Sequence, residues 1–121
     1  MTIAVWIVSG ITALLFVFAG GVKLLRSRED LKAQMAWVDD FSPWQVKAIG
    51  ALEVLGAIGL ILPVLTGIAP VLTPIAAVGL AVLQLVAAVV HARRKEPQMI
   101  GINLVLAALA AFVAVTRFLG Y

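Results

Sequence analysis

The sequence contains no cysteine. That excludes disulfides, thiolate metal sites, iron–sulfur ligation and dithiol redox chemistry carried by this chain. It contains one histidine, His91, which supplies no metal-ligand spacing and leaves an axial haem ligand without a second histidine. Charge is scarce as well: Asp, Glu, Lys and Arg make up 12% of the 121 residues, against about a quarter in an ordinary soluble domain. There is no phosphate-cradling glycine loop; Gly20 and Gly21 lie inside a long apolar run, where close helix packing accounts for them. No linker, low-complexity tract or second domain interrupts residues 1–121, which read as a single domain.

What the chain does have is apolar sequence. Hydrophobic residues make up 64% and the mean hydropathy is +1.15. A soluble protein of this size cannot hide that much apolar surface, because small domains bury only about two-thirds of what the unfolded chain exposes. Disorder needs the opposite composition. Four runs approach the roughly 20 apolar residues that cross a bilayer: Ile3 to Leu25, Trp44 to Leu62, Pro74 to Val90 and Gln98 to Phe118. In hydrocarbon each backbone polar group must be satisfied within its own segment, so these runs are helices, and none alternates as a barrel strand would. The expected fold is all-α: a polytopic membrane protein with four transmembrane helices in an antiparallel bundle.

Helix-start chemistry marks the breaks. Ser42-Pro43-Trp44-Gln45 has the form of a capping box with proline at the first helical position. Thr73-Pro74 repeats the cap-then-proline pattern, and Glu96-Pro97 does so more weakly. Pro63, Gly67 and Pro70 mark the loop between the second and third spans. The first span has its basic residues after the apolar run, so it reads as an uncleaved helix rather than a signal peptide.

The basic residues set an orientation. Lys23, Arg26, Arg28, Lys32 and Lys47 surround the first connection, and Arg93, Arg94 and Lys95 sit in the third. Only Arg117, of 9 Lys and Arg, falls on the other side. The basic side should be cytoplasmic, which puts both termini outside. The net charge of +3 is then a topology signal and not a nucleic-acid surface. Between the first two spans, Ser27 can cap a short helix with Asp30 at its third position. Leu31, Met35 and Val38 share one face and Trp37 lies beside it, which predicts a membrane-surface helix over Arg28 to Val38.

The informative residues are the polar ones inside the spans, because polar groups at membrane depth are expensive and face protein or water. Lys23 shares a face with Gly20, Ala19, Phe16, Thr12 and Ser9. Glu53 stacks with Gly50, Gly56 and Ala57; Gln84 with Ala77, Ala81, Ala88 and His91; Asn103 with Ala107, Ala110, Ala114 and Arg117. Small residues let helices approach, and polar residues bond across them. At 1.5 Å per residue, Glu53 lies roughly 13 Å inside the basic end and Gln84 roughly 10 Å. Lys23 and Asn103 are shallower on the same side, so the four gather in one half of the bundle.

Glu53 is the sharpest of them. It is either ionised and paired, with Lys23 as the best partner, or neutral because burial disfavours charge. Lys47 points about 120° round the helix from Glu53 and is expected to snorkel to headgroups. The pair is either a register-fixing structural contact or a proton-handling or ligand-binding carboxylate. His91 is expected at the end of the third helix, resting against its C-terminal dipole or relaying protons to Glu53. Gln84 and Asn103 bond either each other or a ligand. Ser9 and Thr12 stand away from His91, so no nucleophile–base pair can be picked out.

Phe18-Ala-Gly-Gly-Val-Lys23 and Lys47-Ala-Ile-Gly-Ala-Leu-Glu53-Val-Leu-Gly-Ala-Ile-Gly-Leu-Ile-Leu-Pro63, with the alanine-rich span ending in His91 and with Asn103, resemble the DoxX-like family of small bacterial membrane proteins. The resemblance covers nearly the whole chain. It implies four membrane helices and singles out Lys23, Glu53 and His91. The family takes its name from association with thiosulfate:quinone oxidoreduction, and some members look like partners of redox or thiol-protection proteins. For this chain it implies an accessory membrane subunit, with a quinone or lipid near Glu53 and a soluble redox partner on the basic face. No cofactor motif is evident in the sequence; quinone is the one cofactor the resemblance suggests. The other readings are a binder or isomerase of a small hydrophobic ligand with Glu53 as acid or base, and a structural assembly partner. A homo-oligomer is compatible with all three.

Overall fold

A computed structural model describes residues 1–31 and 41–121, with the side chain of Arg28 left out. The described residues form five helices: α1 (Thr2–Leu25), α2 (Arg28–Leu31), α3 (Pro43–Thr66), α4 (Leu72–Arg93) and α5 (Pro97–Phe118). No strand occurs among them. The four long helices have 22 to 24 residues each and are apolar enough to cross a membrane. At 1.5 Å per residue they match a hydrocarbon layer of about 30 Å. Their outward faces carry exposed Ile, Leu, Val and Phe, as lipid-facing helices should.

The bundle closes as a ring in which α1 packs on α3 and α5, and α4 packs on α3 and α5. The tightest partners are α1 with α3 and α4 with α5. The buried apolar core draws on all four helices: Phe16, Ala57, Leu60, Ala77, Leu80, Ala110, Val113 and Ala114. Apart from Phe16, near the middle of α1, these residues lie in the half of the bundle away from the basic connections. The inward stripes agree with the sequence pattern: Ser9, Thr12, Phe16, Gly20 and Lys23 are buried on α1, and Asn103, Ala107, Ala110 and Ala114 on α5.

The capping box at Ser42 is formed. The Gln45 N–H donates to Ser42 Oγ at 3.3 Å, and the Ser42 N–H donates to Gln45 Oε1 at 2.8 Å. Ser27 caps α2 through the Asp30 N–H at 3.2 Å. Leu31 is buried against Val46, with Val22 and Phe41 beside it. The rest of the expected surface helix, residues 32–38, lies outside the described residues.

Two boundary expectations are corrected. Pro63 does not start the loop: α3 runs through it to Thr66 and ends at Gly67, which takes the left-handed conformation (φ 74°). Thr73 does not cap α4, which begins a residue earlier at Leu72 with no side-chain cap. One bond explains both. Proline has no N–H, so the Gly59 carbonyl four residues back lacks its helical donor. The Thr73 hydroxyl supplies one at 2.7 Å. Neighbouring helices commonly satisfy proline-freed carbonyls in membranes.

Candidate functional site

The small stripe on α1 meets the small stripe on α3 at Gly20 and Gly50. A Cβ on Gly20 would stand 2.5 Å from the Gly50 carbonyl oxygen, and one on Gly50 would stand 2.8 Å from the Gly20 oxygen. No larger residue fits either position at this separation. This approach sets the two backbones close enough for the next turn to pair. There the Lys23 ammonium donates to Glu53 Oε1 at 2.5 Å, with Glu53 only 2% exposed. The expected pairing of Glu53 with Lys23 is formed.

Across the bundle, α4 and α5 form their own polar contact. The Asn103 amide donates to Gln84 Oε1 at 2.9 Å, with both side chains buried. Asn103 Oδ1 is also shielded from water and has no partner among the described residues. The structure therefore brings the four residues together as two pairs, each within a tightly packed helix pair, in the same half of the bundle.

His91 is buried at the end of α4, but its bonded acid is Glu96 and not Glu53. His91 Nδ1 and Glu96 Oε1 are 3.2 Å apart, and Arg94 Nε donates to the same oxygen at 3.1 Å. The reason is the turn that ends α4. The Glu96 N–H reaches the His91 carbonyl at 2.9 Å and the Lys95 N–H the Ala92 carbonyl at 3.2 Å. This Schellman pattern folds Glu96 back over the last helical turn. Glu96 consequently does not cap α5 with its side chain.

Lys47 corrects another expectation. It does not extend to headgroups but donates to the carbonyls of Leu24 at 2.6 Å, Arg26 at 2.8 Å and Lys23 at 3.2 Å. The last carbonyls of a helix lack intrahelical donors and carry partial negative charge. The first turn of α3 lies beside them, so Lys47 caps α1 from a neighbouring helix. The sequence shows Lys47 at the basic end, but not that the end of α1 is within its reach.

A cleft of about 300 Å³ opens at this end, lined by Lys23, Arg26, Ser27, Glu29, Pro43, Val46 and Lys47. Lys23 is on its wall and Glu53 is not. A larger groove of about 540 Å³ lies at the opposite end between α3 and α4 and is almost wholly apolar, bordered by residues such as Leu55, Leu62, Pro63 and Ile75. Among the described residues, no three His, Asp or Glu side chains group as metal ligands.

The fold and the site define a class: a multi-pass membrane protein whose four-helix bundle has its main apolar core toward one end and carries two buried polar pairs toward the other. The family model described as the DoxX-like family matches residues 7–113. The chain belongs to that family. No curated protein and no solved structure matches it.

Proposed function

We propose that this chain is an accessory component of a membrane redox system that holds a quinone, or another lipid, at the polar half of its bundle around Glu53. The observation that carries this reading is the Lys23–Glu53 pair, buried at 2.5 Å, with Lys23 also on the wall of a cleft of about 300 Å³. A site of this kind offers an ammonium donor to a ligand carbonyl and a carboxylate to a ligand hydroxyl, in an otherwise apolar setting. Asn103 Oδ1, in the other polar pair, is buried without a partner among the described residues. The chain itself binds and positions. Electrons come from a soluble partner docked on the basic face, which by its Lys and Arg excess is cytoplasmic in a bacterial inner membrane. Both termini are then outside.

One observation favours a second reading. The Gly20–Gly50 approach and the Lys23–Glu53 bond together fix the register of α1 on α3, which is a structural task complete in itself. Native mass spectrometry of the gently solubilised protein, with extraction of bound small molecules, separates the two. Wild type would be run beside Glu53→Gln and the double variant Lys23→Met/Glu53→Leu. Glu53→Gln strands a buried ammonium and costs about 3–5 kcal/mol, whereas the apolar double variant recovers most of that. A stoichiometric quinone or lipid in wild type, absent from the stable double variant, supports the binding role. No ligand in any sample leaves the pair a structural contact and refers the search to protein partners.

A further inference from the structure

The open cleft at the basic end has an unusual wall. Three cations line it, Lys23, Arg26 and Lys47, against one carboxylate, Glu29. With Glu53 counted behind Lys23, the balance is still positive. Two of the cations are committed: Lys23 donates to Glu53, and Lys47 holds the carbonyls of Lys23, Leu24 and Arg26. Arg26 is different. It is exposed, and its guanidinium has no hydrogen-bond or ion-pair partner among the described residues.

The backbone that carries this guanidinium is nevertheless fixed. The Arg26 N–H returns to the Val22 carbonyl at 3.1 Å, and the Arg26 carbonyl accepts from Lys47 at 2.8 Å. Ser27 follows at once and caps α2. Its Oγ accepts from the Asp30 N–H, so its O–H is left to donate. Leu31, one turn on, is buried against Val46, itself on the cleft wall. Unused donors thus stand at a held position beside open space.

The cleft also stands at headgroup level. Arg26 follows the last residue of α1, and Pro43 is the first of α3, so two membrane spans end at this wall. Their chain neighbours Leu25 and Trp44 are 88% and 71% exposed. They give the cleft an apolar flank, with tryptophan in the interfacial position it favours. Basic pockets between membrane helices take up anionic headgroups. A guanidinium suits them because its parallel N–H groups match two oxygens of one phosphate. A volume of about 300 Å³ is small for a ligand site and suits a phosphate with the few atoms esterified to it.

We infer that this cleft binds a phosphate oxyanion, with Arg26 as its main donor and Lys23 and Lys47 adding positive field. The source is either the headgroup of a lipid or free phosphate. The inference deepens the lipid reading proposed above and rests on it only in sharing the wall at Lys23. The substitutions that test it leave Lys23 and Glu53 in place, so the failure of one is told apart from the failure of the other.

The full chain in dodecyl maltoside, which carries no phosphate, is titrated by calorimetry with dioctanoyl phosphatidylglycerol, with inorganic phosphate and, as a phosphate-free control, with dioctanoylglycerol. The expected result is one saturable site for a phosphate-bearing probe and none for dioctanoylglycerol. Arg26→Gln should weaken binding about tenfold or more, the worth of one charge-assisted hydrogen bond. The fold should survive, because the backbone and not the side chain of Arg26 makes the bonds to Val22 and Lys47. Arg93→Gln removes the same charge from the same end but is not on the wall, and should bind as wild type does. Saturation by the lipid at the lower concentration assigns a headgroup; saturation by inorganic phosphate at an equal or lower concentration assigns a free anion. The inference is overturned if neither phosphate probe saturates, if dioctanoylglycerol binds equally, if Arg26→Gln binds as wild type does, or if Arg93→Gln weakens binding as much as Arg26→Gln.

Discussion

The hydroxyl of Thr73 on α4 donates to the carbonyl of Gly59 on α3, the carbonyl that Pro63 leaves without its helical donor. A proline inside one membrane helix is thereby compensated by a threonine on the next. Removing the hydroxyl in Thr73→Val strands a buried acceptor and should cost about 1–3 kcal/mol. In a Pro63→Ala background the helical N–H returns, so the same change should cost less. A double-mutant cycle on thermal unfolding in detergent measures the difference. Equal costs in both backgrounds would disconnect Thr73 from the proline.

Gly50→Ala should wedge α1 from α3. Its Cβ would stand 2.8 Å from both the Gly20 carbonyl oxygen and Lys23 Cβ. Backbone cannot yield as a side-chain tip does, so a loss of about 1–3 kcal/mol is expected. Gly21→Ala is the control, because nothing lies within 4 Å of the added carbon. Unfolding midpoints of the two variants should separate, with Gly21→Ala at the wild-type value.

Lys47→Met removes the cap from α1. Three carbonyls, those of Lys23, Leu24 and Arg26, lose their ammonium donor. The expected cost is about 1–2 kcal/mol, combining the helix-terminus charge with bonds that water partly replaces. Hydrogen exchange should show faster amides in the last turn of α1 and unchanged ones in α4. A uniform change across all helices would argue that Lys47 acts through global stability alone.

Lys95 sits where glycine is preferred. Its φ of 59° is left-handed, in the turn that brings Glu96 to His91. Lys95→Gly relieves the Cβ strain and should raise stability by about 0.5–1 kcal/mol, since glycine's greater chain entropy offsets part of the gain. An unchanged or lower unfolding midpoint would show that the lysine side chain contributes more than its backbone strain costs.

Much of the bundle was legible in particular residues. Lys23, Glu53, Gln84 and Asn103 stood out because each is an expensive group on a stripe of small neighbours, and the structure buries all four. Ser42 and Gln45 announced their capping box because that bond spans three residues and needs nothing distant. Pro63 misled for the complementary reason. Its local effect is to break a helix, and the threonine that repairs it is on another one. Glu96 was read as a weak cap, but a left-handed turn at Lys95 folds it back to His91. Arg117 was visible as the lone basic residue on its side, while its seat on Trp6 was not.

The sequence by itself determined that four helices cross a membrane, which faces they turn inward, and which end of the bundle is polar. Those properties follow from hydropathy and from the 3.6-residue period, both local. Only the tertiary structure decided the partners: Lys23 with Glu53, Gln84 with Asn103, His91 with Glu96, Lys47 with the end of α1, and Arg117 with Trp6. A polar group in hydrocarbon must find a partner, but which one it finds depends on how closely the backbones approach. That separation is set by glycines such as Gly20 and Gly50, meeting across two helices far apart in the chain.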